Sequence, residues 1–174
     1  MKNCIGKERC SSLKNYIITT DTTCDLPQDY LQQHNIPLLP LYYNFNGTVY
    51  GEKVTLEPKD FYDRMRKGEM PTTMAVNPGT AKEIFTELLD KGYDILHIAF
   101  SSALSGSCSV AGTVARELCD ERPESRILVI DSLSASLGEG LLVHKAVKLK
   151  ESGKSIDEVA DWLENNKLHL CHLF

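Results

Sequence analysis

Long apolar runs are missing from this chain. None approaches the roughly 20 residues that a bilayer-crossing helix needs, so no integral membrane segment is expected. The opening residues, "MKNCIGKERCSSLKNY", carry no apolar core of the kind a secretory signal has. An excess of positive charge is missing too. With 19 lysines and arginines against 24 aspartates and glutamates, the net charge is -5, which argues against a sequence-independent grip on nucleic acid or an anionic surface. The six cysteines, at 4, 10, 24, 108, 119 and 171, include no C-x-x-C pair and no zinc spacing. Cys108 and Cys119 fall on an apolar helical pattern and read as buried thiols in a reduced, cytoplasmic setting.

Catalytic templates are absent as well. No G-x-S-x-G elbow occurs, since Gly106-Ser107-Cys108-Ser109 puts no serine at its centre. There is no G-x-x-x-x-G-K-[ST] phosphate loop, and Gly138-x-Gly140 lacks the third glycine of a dinucleotide fingerprint. No cluster of histidine, cysteine and carboxylate has metal-ligand spacing, so neither cofactor nor metal is expected.

What is present is an ordinary globular composition, 42% hydrophobic and 25% charged over 174 residues, enough to bury one core without staples. Tyr16–Thr20, Asp94–Phe100 and Arg126–Asp131 are near-continuous apolar runs. Such runs suit parallel strands covered on both faces. Helical patterns alternate with them. Asn77 caps a helix opened by Pro78, with Ile84, Phe85, Leu88 and Leu89 inward and Gly92 at its end. Leu104, Cys108, Ala111, Ala115 and Leu118 recur at helical spacing, Leu141–Leu149 continues to Gly153, and Ser155 with Glu158 forms a capping box. This order predicts an α/β fold, a mostly parallel sheet with helices on both faces and right-handed crossovers. Leu38–Phe45, then Asn46-Gly47, then "TVY" adds a β-hairpin insertion.

Each of the three strands ends in hydroxyls: "TTDTTCD", "SSALSGS" and "DSLSAS". In an open parallel sheet these carboxyl ends share one edge, where ligands bind. Ser101–Gly112 holds five serines, two glycines and no charge, and it opens a helix whose first N–H groups favour an anion. Thr72-Thr73 precedes another helix start. Helix capping alone accounts for any one cluster; convergence on one edge argues for a site suited to a carboxylate. Asp21 and Asp131 read as turn-stabilising carboxylates, His97 as a satisfied core histidine, and Cys108 as structural for want of a base.

Four stretches in this order, "TDTTCDLP", "PTTMAVNPG", "SSALSGS" and "DSLSASLGEG", resemble the motif series of the DegV family. The resemblance runs from Tyr16 onward and covers the family's first domain. It implies binding of a long-chain fatty acid whose carboxylate is presented to a partner fatty acid kinase. By the same resemblance Thr73 and Ser105 contact that carboxylate; Thr72, Ser102 and Ser107, from the same hydroxyl clusters, are further candidate ligand-binding residues. Met74-Ala75 stands where the family has Ser-Gln, and Ser107 where it has threonine. The family's arginine and histidine near the carboxylate have no match here.

The expected organisation is an N-terminal extension without fixed structure (1–15), an α/β carboxylate-binding domain (16–166) and the strand-like start of an absent second domain (167–174). A long apolar tunnel for the acyl tail would favour the binding reading. The exposed interface of such a chain predicts self-association. A small serine-dependent hydrolase or acyl-transfer enzyme is the alternative.

Overall fold

The computed structural model describes residues 15–51 and 54–170. In chain order come β1 (Tyr16–Asp21), a 3₁₀ turn (Thr22–Cys24), α1 (Gln28–Gln33), β2 (Leu38–Leu39), β3 (Tyr42–Phe45) and β4 (Thr48–Tyr50). Then follow α2 (Pro58–Arg66), β5 (Thr72–Met74), α3 (Pro78–Asp90), β6 (Asp94–Ala99) and α4 (Ser107–Glu121). The chain continues through β7 (Ile127–Asp131), α5 (Leu137–Glu151), α6 (Ile156–Asn166) and a second 3₁₀ turn (Lys167–His169).

A four-stranded sheet of order β2-β1-β6-β7 is parallel throughout. Helices cover both of its faces, which is why its strands carry continuous apolar runs. Ile18, Leu96, Ile98 and Ile130 pack beneath Leu142, Val143 and Ala146 of α5 and Val159 and Leu163 of α6. On the other face Ile95 and Ile127 meet Phe85 and Leu88 of α3 and Val114 and Leu118 of α4. All six residues of β6 are buried, as a central strand under two helix layers must be.

The helix boundaries follow their caps. The Asn77 side chain accepts from the N–H groups of Gly79 and Thr80, and Ser155 with Glu158 closes a reciprocal capping box. Gly92, at φ 85, turns the chain out of α3 into β6.

A second, three-stranded antiparallel sheet has the order β4-β3-β5. Its hairpin is the Asn46-Gly47 turn, with positive φ of 51 and 89 as a type I′ turn needs. The apolar run Leu38–Phe45 does not form one strand. It divides at Pro40 and Leu41, sending Leu38–Leu39 to the parallel sheet and Tyr42–Phe45 to the antiparallel one. A proline with no N–H to give a ladder marks that division. Thr72-Thr73 lies on β5, drawn into the sheet by pairing of Thr72 with Asn44 and Thr73 with Tyr43.

Other local expectations fail for physical reasons. Leu104 belongs to the loop before α4 and is 59% exposed, so it stands off the helical stripe. Cys108 and Cys119 are half-buried rather than buried, and Cys24 is the buried thiol. Lys167–His169 makes a 3₁₀ turn; Cys171–Phe174, the larger part of the strand-like run Leu168–Phe174, lies outside the described residues. Of the 1–15 extension only Asn15 is described, and its carbonyl accepts from the Asp94 N–H at 3.1 Å.

Candidate functional site

The carboxyl ends of β1, β6 and β7 are brought level by register: Thr20 pairs with Ile98, and Ala99 with Asp131. Two carboxylates fasten the loop that leaves β6. Asp21 Oδ2 accepts from the Phe100 N–H at 2.7 Å, and Asp131 Oδ1 accepts from the Ser102 N–H at 3.1 Å. The Ser102 hydroxyl also donates to Asp131, and the Leu133 N–H reaches the same carboxylate. Ser101 then donates its N–H to the Ser134 carbonyl, tying this loop to the one after β7. Both aspartates therefore stabilise turns, as the sequence indicated.

Ser105 and Ser107 form the next layer. Their hydroxyls lie 2.9 Å apart, and the Ser105 Oγ accepts from the Ser107 N–H at the start of α4. The buried Ser107 Oγ accepts from the Val76 N–H at 3.2 Å, which draws the segment after β5 against the loop. Thr73 sits three residues upstream of Val76 on exposed β5, beside exposed Thr72. The first helical bond of α4 runs from the Val110 N–H to the Gly106 carbonyl. The N–H groups of Cys108 and Ser109, just before it, face the helix start, where the dipole favours negative charge.

Around these polar groups stand exposed apolar side chains: Leu104 after β6, Leu133 and Leu137 after β7, and Met74 on β5. Sequence reasoning missed them, although leucines set inside serine-rich loops were the available signal. It also missed Glu139, fully buried in the first turn of α5. Its carboxyl meets the Thr20 hydroxyl at 2.8 Å and the Thr23 hydroxyl at 2.9 Å. The Thr20 hydroxyl is also 2.8 Å from the Ile98 carbonyl, which can only accept. The Thr20 hydroxyl donates to Glu139, so its one proton is shared between two acceptors. Burial, with the nearby Asp21 charge adding to it, pushes Glu139 up to about 8.

Gly140 lets this turn approach. A Cβ there would stand 2.5 Å from the Cys24 carbonyl oxygen.

His97 is half-satisfied. Its Nδ1 meets the Thr19 hydroxyl at 3.0 Å, while Nε2 has no partner. Burial holds it far below its usual range, at about 3, so it is a neutral core group and not a base for the loop serines. Cys108 is pushed up to about 11, chiefly by burial and further by the Asp131 and Asp21 charges, which removes it as an activated thiol. Lys167, paired with Glu164 at 2.7 Å, acts electrostatically on Cys108, because α6 runs back toward this edge.

The edge is an open surface. Two grooves lie elsewhere: one of about 320 Å³ between α3 and α4, and one of about 390 Å³ along α6 beside Trp162. No long apolar tunnel appears among the described residues. Nor does any group of histidines, cysteines and carboxylates there suit a metal ion, and no described helix is long and apolar enough to cross a membrane.

Fold and edge together define an open, doubly covered α/β domain with a polar edge at its strand ends. The sequence profile of a family described as uncharacterised proteins of the DegV family matches residues 15–174, and the chain belongs to that family. A DegV domain-containing protein of Clostridium perfringens is 41% identical over 164 residues, covering 93% of this chain and 56% of its own length. The fatty-acid-binding DegV family protein of Thermus thermophilus superposes with a TM-score of 0.78 at 31% identity, over 88% of this chain and 53% of its own. A stearic-acid-binding protein of Eubacterium ventriosum gives a TM-score of 0.80 at 26% identity, covering 86% and 52%. The chain thus spans about half the length of the relatives it matches.

Proposed function

We propose that this chain binds a long-chain fatty acid in the cytoplasm, has no catalysis of its own, and presents the acid's carboxylate to a partner fatty acid kinase. The Thr73 and Ser105 hydroxyls and the first-turn N–H groups of α4 hold the carboxylate, with Thr72, Ser102 and Ser107 completing the polar rim. One observation carries this reading: hydroxyls and helix-start N–H groups converge on a strand edge rimmed by exposed Leu104, Leu133, Leu137 and Met74. Relatives described as fatty-acid-binding support it. Ser102 is the least suited of the set, since its hydroxyl already donates to Asp131.

Magnitudes divide the work. A charge-assisted hydrogen bond contributes about 1.5–3 kcal/mol and each buried methylene about 0.8 kcal/mol. Even a half-buried tail therefore outweighs two hydroxyls. The tail sets affinity and the hydroxyls set orientation. The serine-hydrolase alternative is less well supported: Ser105 and Ser107 bond to each other and to the Val76 N–H, a set without a base.

Titration with a fluorescent long-chain fatty acid tests the assignment. The Thr73→Ala/Ser105→Ala double variant should bind at least tenfold more weakly with an unchanged circular dichroism spectrum; equal affinity would overturn the site. An exposed apolar patch finds partners, so light scattering of this chain should show self-association that Leu104→Ser/Leu137→Ser reduces.

A further inference from the structure

Beneath the site loop lies a buried pair that the hydroxyl rim leaves unexplained. Asp21 Oδ1 and His97 Nε2 are both fully buried, both lack a hydrogen-bond partner, and stand 3.6 Å apart. That is about 0.6 Å beyond an ordinary hydrogen bond, so a small closure satisfies both atoms. The pair is not an ion pair, because His97 is held neutral. Asp21's other oxygen holds the Phe100 N–H, the first N–H of the loop that carries Ser105.

We propose that binding of a carboxylate ligand at this edge draws one proton from solvent into the Asp21–His97 pair, so that ligand binding and proton uptake are coupled. The inference rests on the carboxylate-binding reading above.

The two proton states each pair Asp21 Oδ1 with His97 Nε2. With Asp21 ionised, His97 carries its proton on Nε2 and donates to Oδ1, while the Thr19 hydroxyl donates to Nδ1. With one proton added, the Asp21 O–H donates to Nε2, and Nδ1–H donates to the Thr19 oxygen. The states differ by one proton, one histidine tautomer and the turn of one hydroxyl; no other bond changes. Asp21 Oδ2 accepts from Phe100 in both.

An arriving anion chooses between them. Glu139 on α5 and Cys108 on α4 act electrostatically with Asp21; Asp131 on β7 also acts on Cys108, and Glu139 and Asp25 act on Cys24 after β1. Glu164 and Lys167 reach Cys108 as an opposed pair from the end of α6. Burial raises Glu139 to about 8 and both thiols to about 11, so these groups hold their protons at neutral pH. Asp131 stays engaged by three donors of the loops. Asp21 is the group left to change, and burial places its carboxyl at about 7, within reach of a neutral working pH. A carboxylate brought to this edge repels the buried Asp21 charge, and protonating Asp21 removes that repulsion.

Calorimetric titration with a long-chain fatty acid at pH 7.5, in buffers of different ionisation heat, reads the protons taken up per ligand. Roughly half a proton or more is expected, since a group with its midpoint near the working pH is partly loaded beforehand. Asp21→Asn reproduces the protonated shape: its oxygen accepts from Phe100 and its amide donates to His97. It should bind with the uptake lost and with affinity nearly constant from pH 6 to pH 8.5, whereas the unsubstituted chain loses about tenfold across that range. A merely structural aspartate would not flatten that profile. If Asp21→Asn does not fold, the infrared band of a protonated carboxyl, read in the unsubstituted chain with carboxyl-labelled ligand, should grow on binding. Binding without uptake, or equal uptake in Asp21→Asn, overturns the coupling and leaves the binding reading standing. Absence of any fatty-acid binding overturns both.

Discussion

The parallel and antiparallel sheets treat their strands in opposite ways. Every residue of β6 is buried between helix layers, while every residue of β5 is exposed. α4 contributes five buried residues, and α2, which covers the small sheet, contributes none. The small sheet is held by an aromatic cluster instead. Tyr43 stacks on Tyr50 at 5.1 Å, Phe61 meets Tyr43 and Phe45 edge-on, and the Arg64 guanidinium lies 4.3 Å over the Phe45 ring. Only Phe45 is fully buried there. Regions with fewer buried contacts open locally at lower free energy. The proposed site straddles the two regimes, with Ser105 on a loop anchored to the rigid sheet and Thr73 on the looser one. The bond between the Val76 N–H and Ser107 is the seam.

Substitutions can break or sharpen that contrast, and the largest effect belongs in the rigid half. Phe85, fully buried and edge-on to His97, should lose about 3–5 kcal/mol as Phe85→Ala in urea denaturation. Phe45→Ala should instead speed amide exchange in β3–β5 while β1, β6 and β7 stay protected. Equal loss of protection in β6 would mean that the two sheets open as one.

The next effect is a pH dependence. Asp21's folded value of about 7 exceeds its usual 3.8, so the stability it contributes is full below 3.8 and is lost as pH rises through about 7. Between pH 5 and pH 8 that loss is roughly 2–3 kcal/mol by linkage, and Asp21→Asn should remove it from the stability profile. His97 acts in the opposite window: its lowered value makes acid destabilising as pH falls from 6.5 toward about 3.

Gly140→Ala should cost about 1–3 kcal/mol, because its Cβ meets the Cys24 backbone rather than a yielding side chain. Thermal melts will read it. Smallest of all, Thr73→Ala should leave stability within about 0.5 kcal/mol, since β5 is exposed.

The parallel sheet was legible because its periodicity and its caps agree. Apolar runs, Asn77-Pro78 and the Ser155–Glu158 box all point to the same elements. The division of Leu38–Phe45 was not legible, since Leu39 and Tyr42 carry the same strand preference and only tertiary pairing assigns them to different sheets. At the edge, the hydroxyl clusters announced themselves. Glu139 did not: on a helix, a glutamate beside Leu137 and Leu141 carries no mark of burial, and its partners Thr20 and Thr23 lie more than a hundred residues away. Distance along the chain also hid the Asp21–His97 pair.

The pairing of β1 with β6 has a consequence for how the chain acquires its shape. Their partners lie 78 residues apart, as in the bond from Thr20 to the Ile98 carbonyl. During synthesis β1 emerges early, and one flank finds β2 nearby, but its other flank has nothing to bond until Asp94–Ala99 has been added. Contacts of such long sequence separation are slow to close. The hairpin of β3 and β4 and the helices between can form while β1 waits with an open, apolar flank. One of the two inner strands, β6, therefore reaches the sheet long after its neighbour β1, and until then the unpaired flank of β1 is exposed to aggregation.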